Sequence, residues 1–111
     1  MTVAAPALRR LTTSALTGTW LNTNPLPREV ARFEIEDAGE GLTIRADDRD
    51  PFPASVYGDR VDATAAMAFN ARYDGVVLQA NIKTGVLVVA MFIRREDKSY
   101  FAREFYYRSA K

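Results

Sequence analysis

The chain has 111 residues, of which 48% are hydrophobic and 26% are charged, and its formal net charge at neutral pH is +1. This size and balance are typical of one soluble globular domain. The chain has neither cysteine nor histidine, which excludes disulfide frameworks, thiol nucleophiles, Ser-His-Asp chemistry and ordinary zinc sites.

The first predicted element is a short helical turn over Ala5–Ala15. Leucines recur there at roughly helical spacing, Pro6 suits a helix start, and Gly18 lies just beyond the end. We therefore assign residues 1–15 to an N-terminal segment and residues 16–111 to one barrel domain.

From residue 18 onward the apolar residues recur with period two, which indicates half-buried strands. Pairs such as Asp74-Gly75 and Thr84-Gly85 separate these runs as hairpin turns. We predict eight strands, at Gly18–Asn22, Glu29–Asp37, Leu42–Asp47, Ala54–Arg60, Ala65–Tyr73, Val76–Lys83, Val86–Arg94 and Ser99–Arg108.

Short strands without crossover helices indicate an all-β protein, either an antiparallel up-and-down barrel or a sandwich, and we expect the barrel. The interior of an eight-stranded barrel is wide enough for side chains or for one small ligand. The alternation turns a set of apolar residues inward, namely Phe33, Ile35, Leu42, Ile44, Met67, Phe69, Leu78 and Ile82.

The last two strands carry the least ordinary patterns. The seventh is apolar on both faces, so we expect both to be covered. On the last strand, one face has Phe101, Arg103, Phe105 and Tyr107, and the other has Tyr100, Ala102, Glu104, Tyr106 and Arg108. The first face is the more apolar of the two, so we expect it to point inward.

The sequence Gly18-Thr19-Trp20 at the start of the first strand resembles the Gly-x-Trp opening of the calycins. Together with Asn22-Thr23-x-Pro25 and Tyr100-Phe101-x-Arg103-Glu104-Phe105, it resembles a family of small bacterial lipocalin-like proteins. The resemblance implies a lipocalin-like barrel. It also implies that an arginine late in the last strand, here Arg108, packs across Trp20 as a structural cation–π contact. With Arg103 inward, that contact requires a bulge or twist at the strand end.

An arginine inside an apolar barrel cannot lose its proton, so it must bind an anion or form an internal network. We predict Arg103 as the polar anchor of a ligand. The predicted ligand-binding residues are Arg103, Tyr107, Tyr73, Tyr57, Phe33, Phe69 and Met67. One alternative for Arg103 is an internal network with Tyr57, Tyr73 or Tyr107. The other is an outward position, if the opposite face of the last strand points inward.

The candidate catalytic residues are Arg103, Tyr107 and Glu104. On the outer face Glu104 would be an ordinary cross-strand ion-pair partner, which is the reading we favour. Turned inward, it could act as a general base.

Three functions remain open. One is binding of a small apolar or amphipathic molecule inside the barrel. Another is a cofactor-free cyclase or isomerase of natural-product metabolites, which works by positioning its substrate and stabilising an oxyanion. The third is a structural or interaction protein with a filled barrel, and its exposed aromatic residues could form a homodimer. A cavity on the order of several hundred Å³ would favour the first two.

The remaining expectations concern location, partners and cofactors. The near-neutral charge argues against nucleic-acid binding. No apolar stretch reaches the roughly 18 residues of a membrane span, and residues 1–7 lack the basic start of a signal peptide. We therefore expect a cytoplasmic, bacterial protein that binds no membrane. The aspartates of Asp47–Asp50 lack the glycine and distal glutamate of a calcium loop, so we expect no metal and no cofactor.

Overall fold

The computed structural model of the protein describes residues 10–110, which form a closed barrel of eight antiparallel strands. Each strand pairs with the next along the chain, and the last pairs with the first. The strands are β1 (Gly18–Asn22), β2 (Arg32–Asp37), β3 (Leu42–Ala46), β4 (Phe52–Tyr57), β5 (Ala68–Tyr73), β6 (Val76–Lys83), β7 (Val86–Arg95) and β8 (Lys98–Arg108). The predicted antiparallel barrel is confirmed, and the sandwich is excluded.

The largest errors in strand bounds are at β2, β4 and β5. We expected β2 to begin at Glu29, but residues 29–31 belong to the loop before it, and β5 begins at Ala68 rather than Ala65. β4 runs over Phe52–Tyr57 rather than Ala54–Arg60. Residues 5–9 of the predicted helical turn lie outside the described residues. In its described part, the N–H groups of Leu16 and Thr17 donate to the carbonyl of Thr13 at 2.8 and 3.1 Å, which makes one hydrogen-bonded turn.

Two hairpins turn as their sequences predict. Asp74 and Gly75 have φ values of 40° and 77°, and Thr84 and Gly85 have φ values of 53° and 78°. Positive φ at both central residues defines the turn whose twist matches that of paired strands.

The inward side chains of the strands form one continuous apolar cluster inside the barrel. Of the expected inward set, six are buried, namely Phe33, Ile35, Leu42, Ile44, Phe69 and Leu78. Ile82 packs against the cluster but is only partly buried, and Met67 is half-buried just before β5. The alternation in β2, β3 and β6 therefore predicts the inward face correctly.

One end of the barrel, which we call the floor, is sealed around Trp20. The indole is buried, and its Nε1 donates to the carbonyl of Leu16 at 2.9 Å. The guanidinium of Arg108 lies 4.7 Å from the indole centroid and donates to the carbonyls of Ser14 and Ala15. The contact that the resemblance implies between Arg108 and Trp20 is present.

The inward orientation expected for Arg103 is wrong. Ala102, Glu104 and Tyr106 are buried, whereas Arg103 and its same-face neighbours Phe101, Phe105 and Tyr107 are exposed on the outside. The more apolar face is outside because Glu104 and Tyr106 of the other face find hydrogen-bond partners inside the barrel. With this orientation Arg108 faces Trp20 in regular register, so no bulge is needed.

The expectation that β7 is covered on both faces is also wrong. Its inward residues Leu87, Val89, Met91 and Ile93 are buried. On the outer face Val88 is buried as well, but Phe92 is exposed and Val86 and Ala90 are only partly buried. The outer face of β7 therefore keeps apolar surface in contact with solvent.

Replacing Trp20 should destabilise the barrel strongly, because the substitution leaves a large cavity at the floor. We expect Trp20→Ala to lower the free energy of unfolding by about 3–5 kcal/mol, as for other large-to-small core changes. Urea unfolding followed by far-UV circular dichroism measures this loss. A loss below about 1 kcal/mol, or a solvent-like Trp20 emission maximum in the native protein, would contradict the floor assignment.

Candidate functional site

The end of the barrel opposite Trp20, the mouth, is covered by the β1–β2 loop of residues 23–31, which we call the mouth loop. Its Val30 is fully buried and belongs to the interior cluster. The carbonyl of Val30 accepts hydrogen bonds from the Tyr106 hydroxyl at 2.6 Å and from Asn22 Nδ2 at 3.0 Å. One apolar side chain and one carbonyl of the loop thus enter the barrel.

Glu104 holds the near side of the mouth loop from inside the barrel. Its side chain is only 3% exposed. Asn22 Nδ2 donates to its Oε1 at 2.9 Å, Asn24 Nδ2 donates to its Oε2 at 3.1 Å, and the backbone N–H of Arg28 donates to Oε1 at 3.3 Å. The Nε of Arg28 lies 3.6 Å from Oε2. Both oxygens of the buried carboxylate therefore accept hydrogen bonds, from Asn22 before the loop and from Asn24 and Arg28 within it.

Glu29 of the mouth loop reaches across the mouth to the opposite wall. Arg95, at the end of β7, donates to both of its oxygens, at 2.8 and 3.1 Å. The hydroxyl of Tyr73, at the end of β5, donates at 3.1 Å, that of Tyr100 donates at 3.4 Å, and Arg49 lies at 3.5 Å. We call Glu29 with these four partners the latch.

The latch changes the acidity of its members. Burial would raise the pKa of Glu29, but hydrogen bonds from Arg95 and Tyr73 and the charges of Arg95 and Arg49 outweigh it and hold that pKa below its usual value. Burial raises the pKa of the Tyr73 phenol, and the charge of Glu29 raises it further. The pKa of the Tyr106 phenol is raised by burial and by the charge of Glu104. Near pH 7 Glu29 is therefore ionised, and both phenols keep their protons.

The structure divides the predicted ligand-binding residues between two regions. Phe33 and Phe69 are in the interior, and Tyr73 is at the mouth, whereas Met67 lies before β5. Arg103, Tyr107 and Tyr57 are on the outside, so the first two cannot anchor a molecule in the barrel as we expected.

The predicted catalytic residues are not brought together either. Glu104 faces the interior, contrary to the orientation that we favoured, while Arg103 and Tyr107 face solvent. The Arg103 guanidinium lies 5.5 Å from the centroid of the Phe105 ring. Tyr57 and Arg103 border a shallow groove of about 440 Å³ on the outside of the barrel.

The inward side chains of the described residues form one buried apolar cluster. A concave region of about 640 Å³, open to solvent, lies at the floor end beside Leu11, Asp37 and Val56. The described residues include no group of three or more carboxylates that could hold a metal ion. In residues 10–110, no helix has the length and apolar character to cross a membrane.

The comparisons with known proteins add no assignment. No family model matches the sequence, and neither the curated proteins nor the solved structures contain a significant match. The eight-stranded antiparallel barrel is compatible with a lipocalin-like fold, and the site must be interpreted from its own geometry.

The sequence prediction missed the residues that close the mouth, above all Glu29 and Arg95. The prediction placed Glu29 at the start of β2, where the alternation would give it the inward face of Phe33 and Ile35, a face that a charged residue does not fit. The signal that could have found it is Asn24-Pro25-Leu26-Pro27 just before it, because prolines mark a loop that continues beyond them.

The latch should stabilise the protein only while Glu29 is ionised. Because folding lowers the pKa of Glu29, its contribution is complete above the ordinary glutamate pKa and is lost as pH falls through the lower, folded value. We expect Glu29→Gln to lower the free energy of unfolding by about 1–3 kcal/mol near pH 7, and by less near pH 3. Urea unfolding at both pH values measures this difference.

The matched control is Glu36→Gln, the same substitution at an exposed position of β2. It should change the free energy of unfolding by less than about 0.5 kcal/mol at both pH values. If Glu29→Gln behaves like this control near pH 7, the latch does not hold the mouth loop.

Proposed function

We propose that the protein binds one small apolar or amphipathic molecule inside its barrel, and that the molecule enters through the mouth. The observation that carries this proposal is the contrast between the two ends. At the floor the buried Trp20 packs beneath Arg108, and Asp37 accepts hydrogen bonds from Thr13 and Arg10 at the edge. The mouth is covered by a loop that is held mainly through polar and charged contacts and has no aromatic side chain of its own. Polar contacts can be exchanged for water when a loop opens, but buried aromatic packing cannot.

The concave regions of the described residues are open to solvent, and an interior cavity on the order of several hundred Å³, which would favour binding, is not among them. Binding in this proposal therefore requires the mouth loop to withdraw, because Val30 occupies the space just below the mouth. Withdrawal removes Val30 and the Glu29 side chain and leaves an apolar wall that includes Phe33 and Tyr106, whose rings lie 4.9 Å apart. The Tyr106 hydroxyl and the Glu104 carboxylate lose loop partners at the same time. A ligand with an apolar body and a hydrogen-bonding end would satisfy both parts of the vacated site.

Opening the mouth has a cost that the ligand must offset. Exposing one buried valine costs about 1.5–3 kcal/mol, each neutral hydrogen bond of the loop contributes about 0.5–1.5 kcal/mol net, and each hydrogen bond to the Glu29 or Glu104 carboxylate contributes about 1.5–3 kcal/mol. A ligand that buries roughly 300 Å² of apolar surface gains about 7 kcal/mol at the usual coefficient. The open form would be rare without ligand and favoured with it.

The enzymatic alternative uses the same site. A cyclase or isomerase would bind its substrate in this space, and Glu104 is the one candidate catalytic residue that faces it. Binding is the function that we propose, because it needs only the apolar interior and an opening mouth.

The rate of probe binding tests the proposal. The probe is N-phenyl-1-naphthylamine, a neutral dye that becomes fluorescent in apolar surroundings, mixed with protein in a stopped-flow instrument. We expect Arg95→Gln, which loosens the latch, to raise the association rate at least about tenfold, because loop opening limits access. The matched control Arg94→Gln alters the neighbouring arginine, which lies outside the latch, and should leave the rate unchanged.

A second control tests whether the dye binds to the exposed rings on the outside of the barrel instead of inside it. Phe105→Ser replaces an exposed ring on the outside of β8 and should leave dye binding unaltered. Absence of dye binding in all variants, equal rates for Arg95→Gln and Arg94→Gln, or loss of binding in Phe105→Ser would each overturn the proposal. Urea unfolding of every variant shows whether it is folded under the conditions of the dye measurement.

A further inference from the structure

The outside of β7 and β8 carries a continuous apolar face. The side chains of Phe92, Phe101, Phe105 and Tyr107 are 40%, 56%, 43% and 49% exposed. The register of the two strands puts Phe101 beside Phe92, with ring centroids 5.2 Å apart, and the chain continues the face along β8. Exposed apolar faces of this kind mark interaction sites far more often than isolated exposed rings do.

This face has a ridge and a trough. The β8 ridge consists of the large outward side chains Phe101, Arg103, Phe105 and Tyr107. The β7 trough consists of the small outward side chains Val86, Val88 and Ala90, which lie directly beside Tyr107, Phe105 and Arg103 in register. Val88 is only 8% exposed and Val86 and Ala90 are partly buried, so the ridge is the part of this face that a partner would meet first.

We propose that this face binds the same face of a second copy of this chain, with the two β8 strands antiparallel across a two-fold axis between Arg103 and Phe105. Residues two apart on a strand share a face, so the ridge carries aromatic, arginine, aromatic and aromatic side chains in order. Reversed about that axis, Arg103 of each copy meets Phe105 of the other, and Phe101 meets Tyr107. The order of side chains is thus self-complementary.

The charges of the face agree with this pairing. Among the described residues Arg103 has no ion-pair partner, and its guanidinium already lies over the Phe105 ring of its own chain. The outward positions of β7 and β8 between Val86 and Tyr107 include no carboxylate. Arginine stacks on aromatic rings and is enriched in interfaces, so it needs no acidic partner to be accommodated there.

The aromatic side chains of the face supply part of the area that a dimer interface needs. The exposed parts of the four aromatic side chains amount to about 400 Å² at typical side-chain areas. A stable interface buries about 800 Å² per partner, so the rings alone would supply about half of it, and Arg103, the trough and the neighbouring Val77 add to that amount. The proposal is independent of ligand binding inside the barrel.

A charge exchange across the proposed axis tests the pairing. Sedimentation velocity over a range of concentrations gives the dimer dissociation constant of each variant. We expect a dimer for the unaltered protein. Phe105→Arg would bring two arginines together at each contact and should raise the dissociation constant at least about tenfold. Adding Arg103→Glu to Phe105→Arg places a carboxylate against a guanidinium across the axis and should restore the dimer.

The matched control is Val61→Arg, which puts the same charge on a fully exposed valine between β4 and β5 and should leave the dissociation constant unchanged. A protein that stays monomeric at millimolar concentration overturns the proposal, and so does a dimer that Phe105→Arg leaves intact. Failure of the double variant to restore the dimer overturns the two-fold pairing. Circular dichroism of each variant shows whether it is folded.

Discussion

The buried carboxylate of Glu104 is the constraint on which the orientation of β8 depends. A strand alternates its side chains between two faces, so the direction of one residue decides the direction of all the others. With Glu104 inside, Tyr106 fills the interior and Arg108 reaches the Trp20 indole. The same choice puts Phe101, Arg103, Phe105 and Tyr107 on the outside. A one-residue change of register would reverse all of these placements.

Glu104 also connects β8 to the mouth loop. A buried carboxylate is tolerated only when donors surround it, and its donors come from Asn22, Asn24 and Arg28. The mouth loop also places Glu29 against the opposite wall of the barrel, where Arg95 and Tyr73 donate hydrogen bonds to it. The closed mouth and the orientation of β8 therefore depend on one polar cluster. The floor combines the packing and cation–π contact of Trp20 with a smaller polar cluster, in which the Asp37 carboxylate accepts hydrogen bonds from Thr13, Arg10 and the N–H of Gly39.

The strands could be predicted from sequence because most of them obey a local rule. In β2, β3 and β6 the alternation alone identifies the inward residues, and Asp74-Gly75 marks a turn without help from distant parts of the chain. The contact of Arg108 with Trp20 was expected from a family resemblance rather than from the alternation, which had put Arg108 on the wrong face.

The site could be predicted much less well, because its contacts are distant in the chain. The partners of Glu104 lie 76 to 82 residues away along the sequence, so counting apolar residues on each face of β8 could not show that an acidic residue would be satisfied inside. Arg103 was expected to point inward because its same-face neighbours Phe101 and Phe105 are apolar. Glu29 was included in β2 although its charge does not fit the inward face that Phe33 and Ile35 share with it, and its partner Arg95 lies 66 residues away along the chain.

The most direct test of the account is the side to which β8 points. The chain has no cysteine, so single thiols introduced by Ala102→Cys and by Arg103→Cys can be compared by maleimide labelling of folded protein at concentrations too low for dimers. We expect the thiol at position 103 to react at nearly the rate of an unfolded peptide and the thiol at position 102 to react at least about a hundredfold more slowly, because it must wait for unfolding. Fast labelling at position 102 with protection at position 103 would contradict the placement of Glu104 inside the barrel.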